Sequence, residues 1–129
     1  GHLLNMKDVQ IPIFMQASQK DHIAPADSVY RSARLFGGPV EYMMAGSGHI
    51  AGVVNHPDAQ KYQHWINTKL PETREDWMKD AVEHPGSWWP HWRDWLLALS
   101  DEQVPARQPG GGVREPLCPA PGEYVKVRS

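Results

Sequence analysis

Cysteine is nearly absent: Cys118 is the single thiol in 129 residues. One cysteine cannot build an internal disulfide framework, which suits a reducing compartment. Excess charge of either sign is missing too, with thirteen Lys and Arg against fifteen Asp and Glu. That balance supplies no electrostatic footprint for nucleic acid or an anionic membrane. No apolar run approaches the roughly 18–20 residues of a membrane span, so no transmembrane segment is expected. Residues Gly1 to Met6 lack the basic-then-apolar layout of a signal peptide. By elimination the expectation is a soluble, cytoplasmic α/β piece, and this length allows one domain and leaves no room for two. What the chain has in excess is tryptophan: six residues, all between Trp65 and Trp95.

Three zones follow along the chain. Val9 to Ala17 is rich in β-branched and aromatic residues and apolar on both faces through Ile13-Phe14-Met15, as in a strand buried under helices. After Pro25, the residues Val29, Ala33 and Phe36 form the inward stripe of an amphipathic helix, stopped by Gly37-Gly38-Pro39. Val40 to Ala45 is a second apolar strand, closed by Gly46-Ser47-Gly48. Strand–helix–strand with a short crossover implies two parallel strands joined in the right-handed sense.

The second zone, 55–99, is expected to be helical. Tyr62, Trp65 and Ile66 mark one helix. A capping box at Thr73–Asp76 opens another, with Trp77, Met78, Ala81 and Val82 inward, that ends at His84-Pro85-Gly86. Trp88, Trp89, Trp92, Trp95, Leu96 and Leu99 make the apolar face of a third, with Pro90 tolerated in its first turn. Residues 105–124 hold five Pro and four Gly and so exclude much regular structure, with a possible short terminal strand at Tyr124–Val127. The domain reading is therefore 1–99 as one α/β unit and 100–129 as a Pro/Gly-rich tail. Two parallel strands cannot cover both faces of a sheet, so these read as the last strands of a larger one that begins outside the chain.

The chemistry-bearing pair is defined by position. Asp21 lies in the loop after the first strand, and His49 in the loop after the second. In open α/β sheets the loops beyond the carboxyl ends of the strands build the site. A carboxylate there accepts an imidazole N–H, fixes the tautomer and stabilises the imidazolium formed during proton transfer. Acid then histidine, each after a late strand, is the order of α/β-hydrolase triads. The bland alternative is an Asp that caps a helix and a His satisfied within its loop. No nucleophile elbow of the G-x-S-x-G type is present, and Cys118 sits in the Pro-rich tail, after both partners.

Other signals are weaker. Gly46-Ser47-Gly48-His49-Ile50-Ala51 matches a loose dinucleotide fingerprint, but at the second strand rather than at the opening of a βαβ unit. Seven His form no metal-binding spacing, so no metal is expected. The Trp cluster is either an aromatic platform for a polymer or partner or, as its helical period favours, core packing.

Four motifs in sequence order, Lys20-Asp21-His22-Ile23-Ala24-Pro25, Gly46-Ser47-Gly48-His49-Ile50-Ala51-Gly52-Val53-Val54-Asn55, Glu83-His84-Pro85-Gly86-Ser87-Trp88-Trp89-Pro90 and Glu115-Pro116 through Pro119-Ala120-Pro121-Gly122-Glu123-Tyr124-Val125-Lys126, resemble the C-terminal end of class I polyhydroxyalkanoate synthases. The resemblance runs through essentially the whole chain. It implies the C-terminal part of an α/β-hydrolase fold in an acyltransferase that polymerises (R)-3-hydroxyacyl-CoA and releases coenzyme A. On this resemblance Asp21 and His49 are catalytic, while the nucleophilic Cys belongs upstream and Cys118 does not inherit its role. It leaves open whether Asp21 orients His49 or helps activate the substrate 3-hydroxyl. His22 is placed as a neighbour supporting the acid, and Ile50 and Ala51 as candidates to line the acyl pocket. No cofactor is implied, coenzyme A being part of the substrate. The implied partners are the growing polyester, a granule surface and a second subunit in a homodimer, within the cytoplasm. Another α/β-hydrolase using the same pair with Ser, such as an esterase or depolymerase, is the alternative, as is a non-enzymatic Trp-rich binding module.

Overall fold

Alternation along one short strand organises this protein. In the computed structural model, which describes residues 1, 3–100, 102–108 and 110–128, the segment Val40–Ala45 forms strand β2 and is buried on both sides. Tyr42 and Met44 point to one side, Met43 and Ala45 to the other, and all four are at most 1% exposed. A strand covered on both faces reads as a continuous apolar run because successive side chains leave the sheet on opposite sides.

Strand β1 (Ile13–Ser18) pairs with β2 in parallel, with Ile13 opposite Val40 and Ser18 opposite Ala45. Helix α1 (Ala26–Ala33) connects them, as the sequence pattern predicts, but ends three residues before Phe36, where a turn through Arg34 and Leu35 takes over. The sheet does not stop there. Strand β3 (Gln63–Ile66) lies antiparallel beside β2, with Met44 opposite Trp65, and β4 (Val82–Pro85) lies antiparallel beside β3, with His64 opposite His84. The spatial order is therefore β1-β2-β3-β4.

Two expected helices are corrected by this arrangement. Tyr62, Trp65 and Ile66 do not mark a helix: Gln63–Ile66 is β3, because pairing with the buried β2 satisfies its backbone while Trp65 enters the core. The helix opened by Thr73 is real but short. This helix, α2 (Arg74–Lys79), buries Trp77 and ends before Val82, which is exposed and begins β4. Its N-cap forms at the residue read for it: the Thr73 hydroxyl accepts the Asp76 amide at 3.1 Å and donates to the Asp76 carboxylate at 2.8 Å, so the carboxylate meets the hydroxyl rather than the Thr73 amide of a full capping box.

The two faces of the sheet have separate cores. On one, Tyr30 and Ala33 of α1 and Trp77 of α2 meet Ala17, Tyr42, Met44 and Trp65. Tyr30, Tyr42 and Trp77 pack edge to face, with ring centroids 4.9–6.4 Å apart, the arrangement that ring quadrupoles favour. On the other face, Met43 and Ala45 lie under Trp88, with Phe14, Ile66 and Trp89 around them. Trp88 leads into helix α3 (Trp89–Leu97), whose first turn accepts Pro90 and whose Trp89 amide is received by Ser87 Oγ at 3.2 Å. The apolar face expected of this helix is covered mainly at its start: Trp92 and Leu96 are exposed, as is Leu99 beyond the helix end, because the sheet extends only under Trp88 and its neighbours.

Residues 1–99 form one compact unit and 100–129 another. Among its described residues the second unit contains no helix or strand beyond a single 3-10 turn, Tyr124–Lys126. That turn replaces the terminal strand expected at Tyr124–Val127; Pro and Gly upstream leave no partner strand to pair with it. Among the described residues no helix is long and apolar enough to cross a membrane.

Since Trp77 is fully buried in the three-ring cluster, Trp77→Ala should cost about 3–5 kcal/mol of stability. Trp92→Ala, at a 40% exposed position, should cost less than half of that. Chemical denaturation followed by far-UV circular dichroism measures both; equal losses would remove the aromatic cluster from its central place in the core.

Candidate active site

Parallel pairing places the carboxyl ends of β1 and β2 on the same edge of the sheet. The ladder then continues past both strand ends. Gln19 N–H donates to the Ala45 carbonyl at 2.8 Å and Lys20 N–H to the Ser47 carbonyl at 2.9 Å. These two bonds bring the loop that holds Asp21 alongside the loop that holds His49, and the result is a direct contact: His49 Nδ1 lies 2.7 Å from Asp21 Oδ2.

Each partner is held by its own backbone. Asp21 Oδ1 accepts the amides of Ile23 at 2.8 Å and Ala24 at 2.9 Å, an Asx-type turn that satisfies one carboxylate oxygen and aims the other. The His49 loop leaves β2 through Ser47, whose φ of 97° is in the left-handed region that L side chains rarely adopt. It then closes a helical turn, with Gly52 N–H on the Gly48 carbonyl and the Val53 and Val54 amides on the Ile50 carbonyl. Gly52 is required by close approach: a Cβ there would sit 2.9 Å from the Gly46 carbonyl oxygen and 3.1 Å from Ser18 Oγ.

Electrostatics divides the pair into a guarded acid and an accessible base. The Asp21 side chain is only 7% exposed, whereas that of His49 is 44% exposed. The Ala24 amide above all, then the His49 imidazole and the Ile23 amide, holds the Asp21 carboxyl down at about 2 against the opposing effect of desolvation. An ionised carboxylate only accepts hydrogen bonds, so the proton of a neutral imidazole must reside on Nδ1. Nε2 then carries the free lone pair, which is the state required of a general base.

The remaining candidates separate. His22 is exposed beside the acid. Ile50 is 70% exposed and Ala51 half-buried, both in the turn that follows His49. No helix begins at the Gly46–Ala51 motif, and the next α-helix among the described residues opens at Arg74, so the phosphate-binding arrangement of a dinucleotide fingerprint is not built. Among the described residues no three His, Cys, Asp or Glu side chains gather as a metal site. Cys118 is an exposed thiol of the second unit. Half of the Trp cluster is core, Trp65, Trp77 and Trp88 being at most 9% exposed, while Trp89 and Trp95 are half-buried and Trp92 is exposed. Sequence reasoning missed the ladder extension at Lys20 and Ser47. The available signal was a residue other than glycine flanked by two glycines directly before the histidine.

What fold and geometry define is a class: an α/β protein that presents a carboxylate-held imidazole at the carboxyl edge of its parallel strands. No protein-family model matches the chain. Individual proteins do match. The poly(3-hydroxyalkanoate) polymerase subunit PhaC of Rhizobium etli is 49% identical over 129 residues, which is 100% of this chain and 20% of the relative. The poly(3-hydroxyalkanoate) polymerase of Methylorubrum extorquens is 49% identical over 98% of the chain and 21% of its own length. The PhaC subunit of Cupriavidus necator is 37% identical over 100% of the chain and 22% of its own length. The chain belongs to the poly(3-hydroxyalkanoate) polymerase family, as a segment spanning about a fifth of the length of the relatives it matches.

Asp21 has its carboxyl pulled below the ordinary value of 3.8, to about 2. A carboxyl lowered by folding stabilises the native state fully above its unfolded value, and that contribution disappears as pH falls from roughly 4 towards 2. A carbon-detected NMR titration of the Asp21 carboxyl should therefore show a midpoint near 2, and Asp21→Asn should flatten the acid limb of stability across that window. An Asp21 midpoint near 4 would show that the turn amides and His49 do not hold it.

Proposed function

We propose that the chain is the C-terminal part of a class I polyhydroxyalkanoate synthase with an α/β-hydrolase fold, supplying two members of a Cys-His-Asp triad. The observation that carries this is the 2.7 Å contact between His49 Nδ1 and Asp21 Oδ2 at the ends of adjacent parallel strands. In this reading the nucleophilic cysteine belongs to the upstream part of the polymerase, and the substrate is an (R)-3-hydroxyacyl-CoA.

The steps follow from the free lone pair on His49 Nε2. That nitrogen takes the thiol proton, and the thiolate attacks the thioester carbonyl. As the tetrahedral adduct collapses, the carbon–sulfur bond to coenzyme A breaks and the imidazolium returns a proton to the departing thiolate. The 3-hydroxyl of another acyl unit, losing its proton to the same imidazole, attacks the enzyme thioester; the carbon–sulfur bond to the cysteine breaks, and the departing thiolate takes that proton back. The polyester grows by one ester bond. Asp21 acts by orienting His49 and stabilising its charged form. Both of its oxygens are already engaged and its side chain is nearly buried, which favours this role over direct activation of the hydroxyl.

In this reading Ile50 and Ala51, which follow the base, would line the acyl site, and His22 would support the acid from the next position. No cofactor is needed, because the thioester itself supplies the driving force for ester formation. The intact enzyme would be a cytoplasmic homodimer at the surface of its own polyester granules.

Coenzyme A release from 3-hydroxybutyryl-CoA by the intact polymerase that contains this segment is the direct assay. His49→Ala should lower kcat by about 10³-fold or more, the range of lost acid–base catalysis, and the 129-residue chain alone should release none. Substantial activity in His49→Ala would dismiss His49 as the base; turnover by the isolated chain would place a nucleophile within it.

A further inference from the structure

Two indole N–H groups converge on one backbone oxygen. Trp88 Nε1 donates to the Val53 carbonyl at 3.1 Å, and Trp89 Nε1 donates to the same oxygen at 2.9 Å. A carbonyl oxygen has two lone pairs, and here both are occupied by adjacent side chains of one dipeptide. Val53 belongs to the turn that begins at Gly48 and displays His49. We propose that Trp88 and Trp89 are positioning residues, holding the His49 turn against the sheet through the Val53 carbonyl and so keeping the imidazole on Asp21.

Each link in that connection is a packed or bonded group. Trp88 is 9% exposed, lies over Met43 and Ala45 of β2, and stacks on Phe14 of β1 with centroids 6.0 Å apart and planes 17° from parallel. Its indole nitrogen is thereby referenced to the same two strands whose ends carry Asp21 and His49. Trp89 lies edge-on to His56 at 5.8 Å, with its backbone amide received by Ser87 Oγ. The turn closes on its own short-range bonds, Gly52 N–H on Gly48 and two amides on the Ile50 carbonyl, and apart from the indoles its outward ties are the His49–Asp21 contact and the Val53 side chain packed on the second core. Without an external anchor such a turn can tilt on the glycines at its base, and the imidazole at its tip would leave the carboxylate.

Satisfaction of buried donors alone does not explain the pair. Trp77 Nε1, in the opposite core, is buried with no hydrogen-bond partner among the described residues, so this fold tolerates an unpaired indole. One donor would also suffice to satisfy Val53. Two donors on one oxygen restrict where it can lie more than one does, which matters because a displacement of about 1 Å in a reacting group costs on the order of 10²-fold in rate.

The proposal rests on His49 being the base, and its test separates the two ideas. In the intact polymerase, Trp88→Phe and Trp89→Phe each remove one N–H and retain an aromatic ring. Each single variant should lower kcat by about 3-fold, because the second indole still holds the carbonyl. The double variant should fall on the order of 10²-fold, with KM changed less than 2-fold. Trp92→Phe is the control: it lies on the same helix and against Trp88, and its indole makes no hydrogen bond among the described residues. It should keep kcat unchanged.

A second readout does not depend on turnover. The downfield NMR proton on His49 Nδ1, shared with Asp21, should persist in Trp92→Phe and weaken or shift in each single Trp88 or Trp89 variant, even if the double variant does not fold. Wild-type kcat in the double variant, or an unmoved Nδ1 proton in both single variants, would overturn the proposal. Loss of kcat in His49→Ala alongside either result leaves the base assignment standing, whereas an active His49→Ala enzyme removes that assignment instead.

Discussion

The parallel pairing of β1 with β2 determines where everything else can stand. Because both strands run the same way, their carboxyl ends share one edge, and the ladder continues beyond them through Gln19 and Lys20 to the Ala45 and Ser47 carbonyls. Those last two bonds convert two loops separated by 28 residues into neighbours, with Asp21 and His49 at contact distance. Neither side chain has to reach: the acid is aimed by its own Asx turn and the imidazole by a short helical turn. Preorganisation of this kind places the cost of assembling the pair in folding rather than in each reaction.

Burial then distributes the roles. A nearly buried carboxylate with three donors is favoured in its charged form, so it serves as a negative reference for the imidazole. The exposed imidazole is left as the group able to exchange a proton with something outside the pair. The asymmetry follows from the backbone, since the amides of Ile23 and Ala24 point into the Asp21 turn while the His49 turn projects its side chain outward.

Tryptophan serves this fold in three distinct ways. Trp77 and Trp65 are hydrophobic volume in one core, with Tyr30 and Tyr42 arranged edge to face around Trp77. Trp88 combines volume in the second core with a hydrogen bond to Val53, and Trp89 adds the second donor. Trp92 leaves 40% of its surface exposed on the outer side of α3. One residue type clustered in 31 positions thus ties both faces of the sheet to its neighbouring loops.

Much of this was legible beforehand, and the failures have a common cause. Local pattern alone determined β1, α1, β2, the Thr73 N-cap and α3, because each depends on short-range periodicity or on a side chain bonding its own backbone. It also placed Asp21 and His49 on one edge, since strand direction follows from a strand–helix–strand order. Gln63–Ile66 and the Val82 end of Val82–Pro85 read as helical in sequence because a four-residue strand carries too little alternation to declare itself; each becomes a strand only when a neighbour supplies hydrogen bonds. The tertiary structure alone decided that the Asp21 carboxylate meets His49 Nδ1 at hydrogen-bond distance, and that two indoles from residues 88 and 89 close on the carbonyl of residue 53. Residue identity and spacing specify which groups are available. Which of them touch is settled by strand register and packing across long sequence separations, and no local pattern records those.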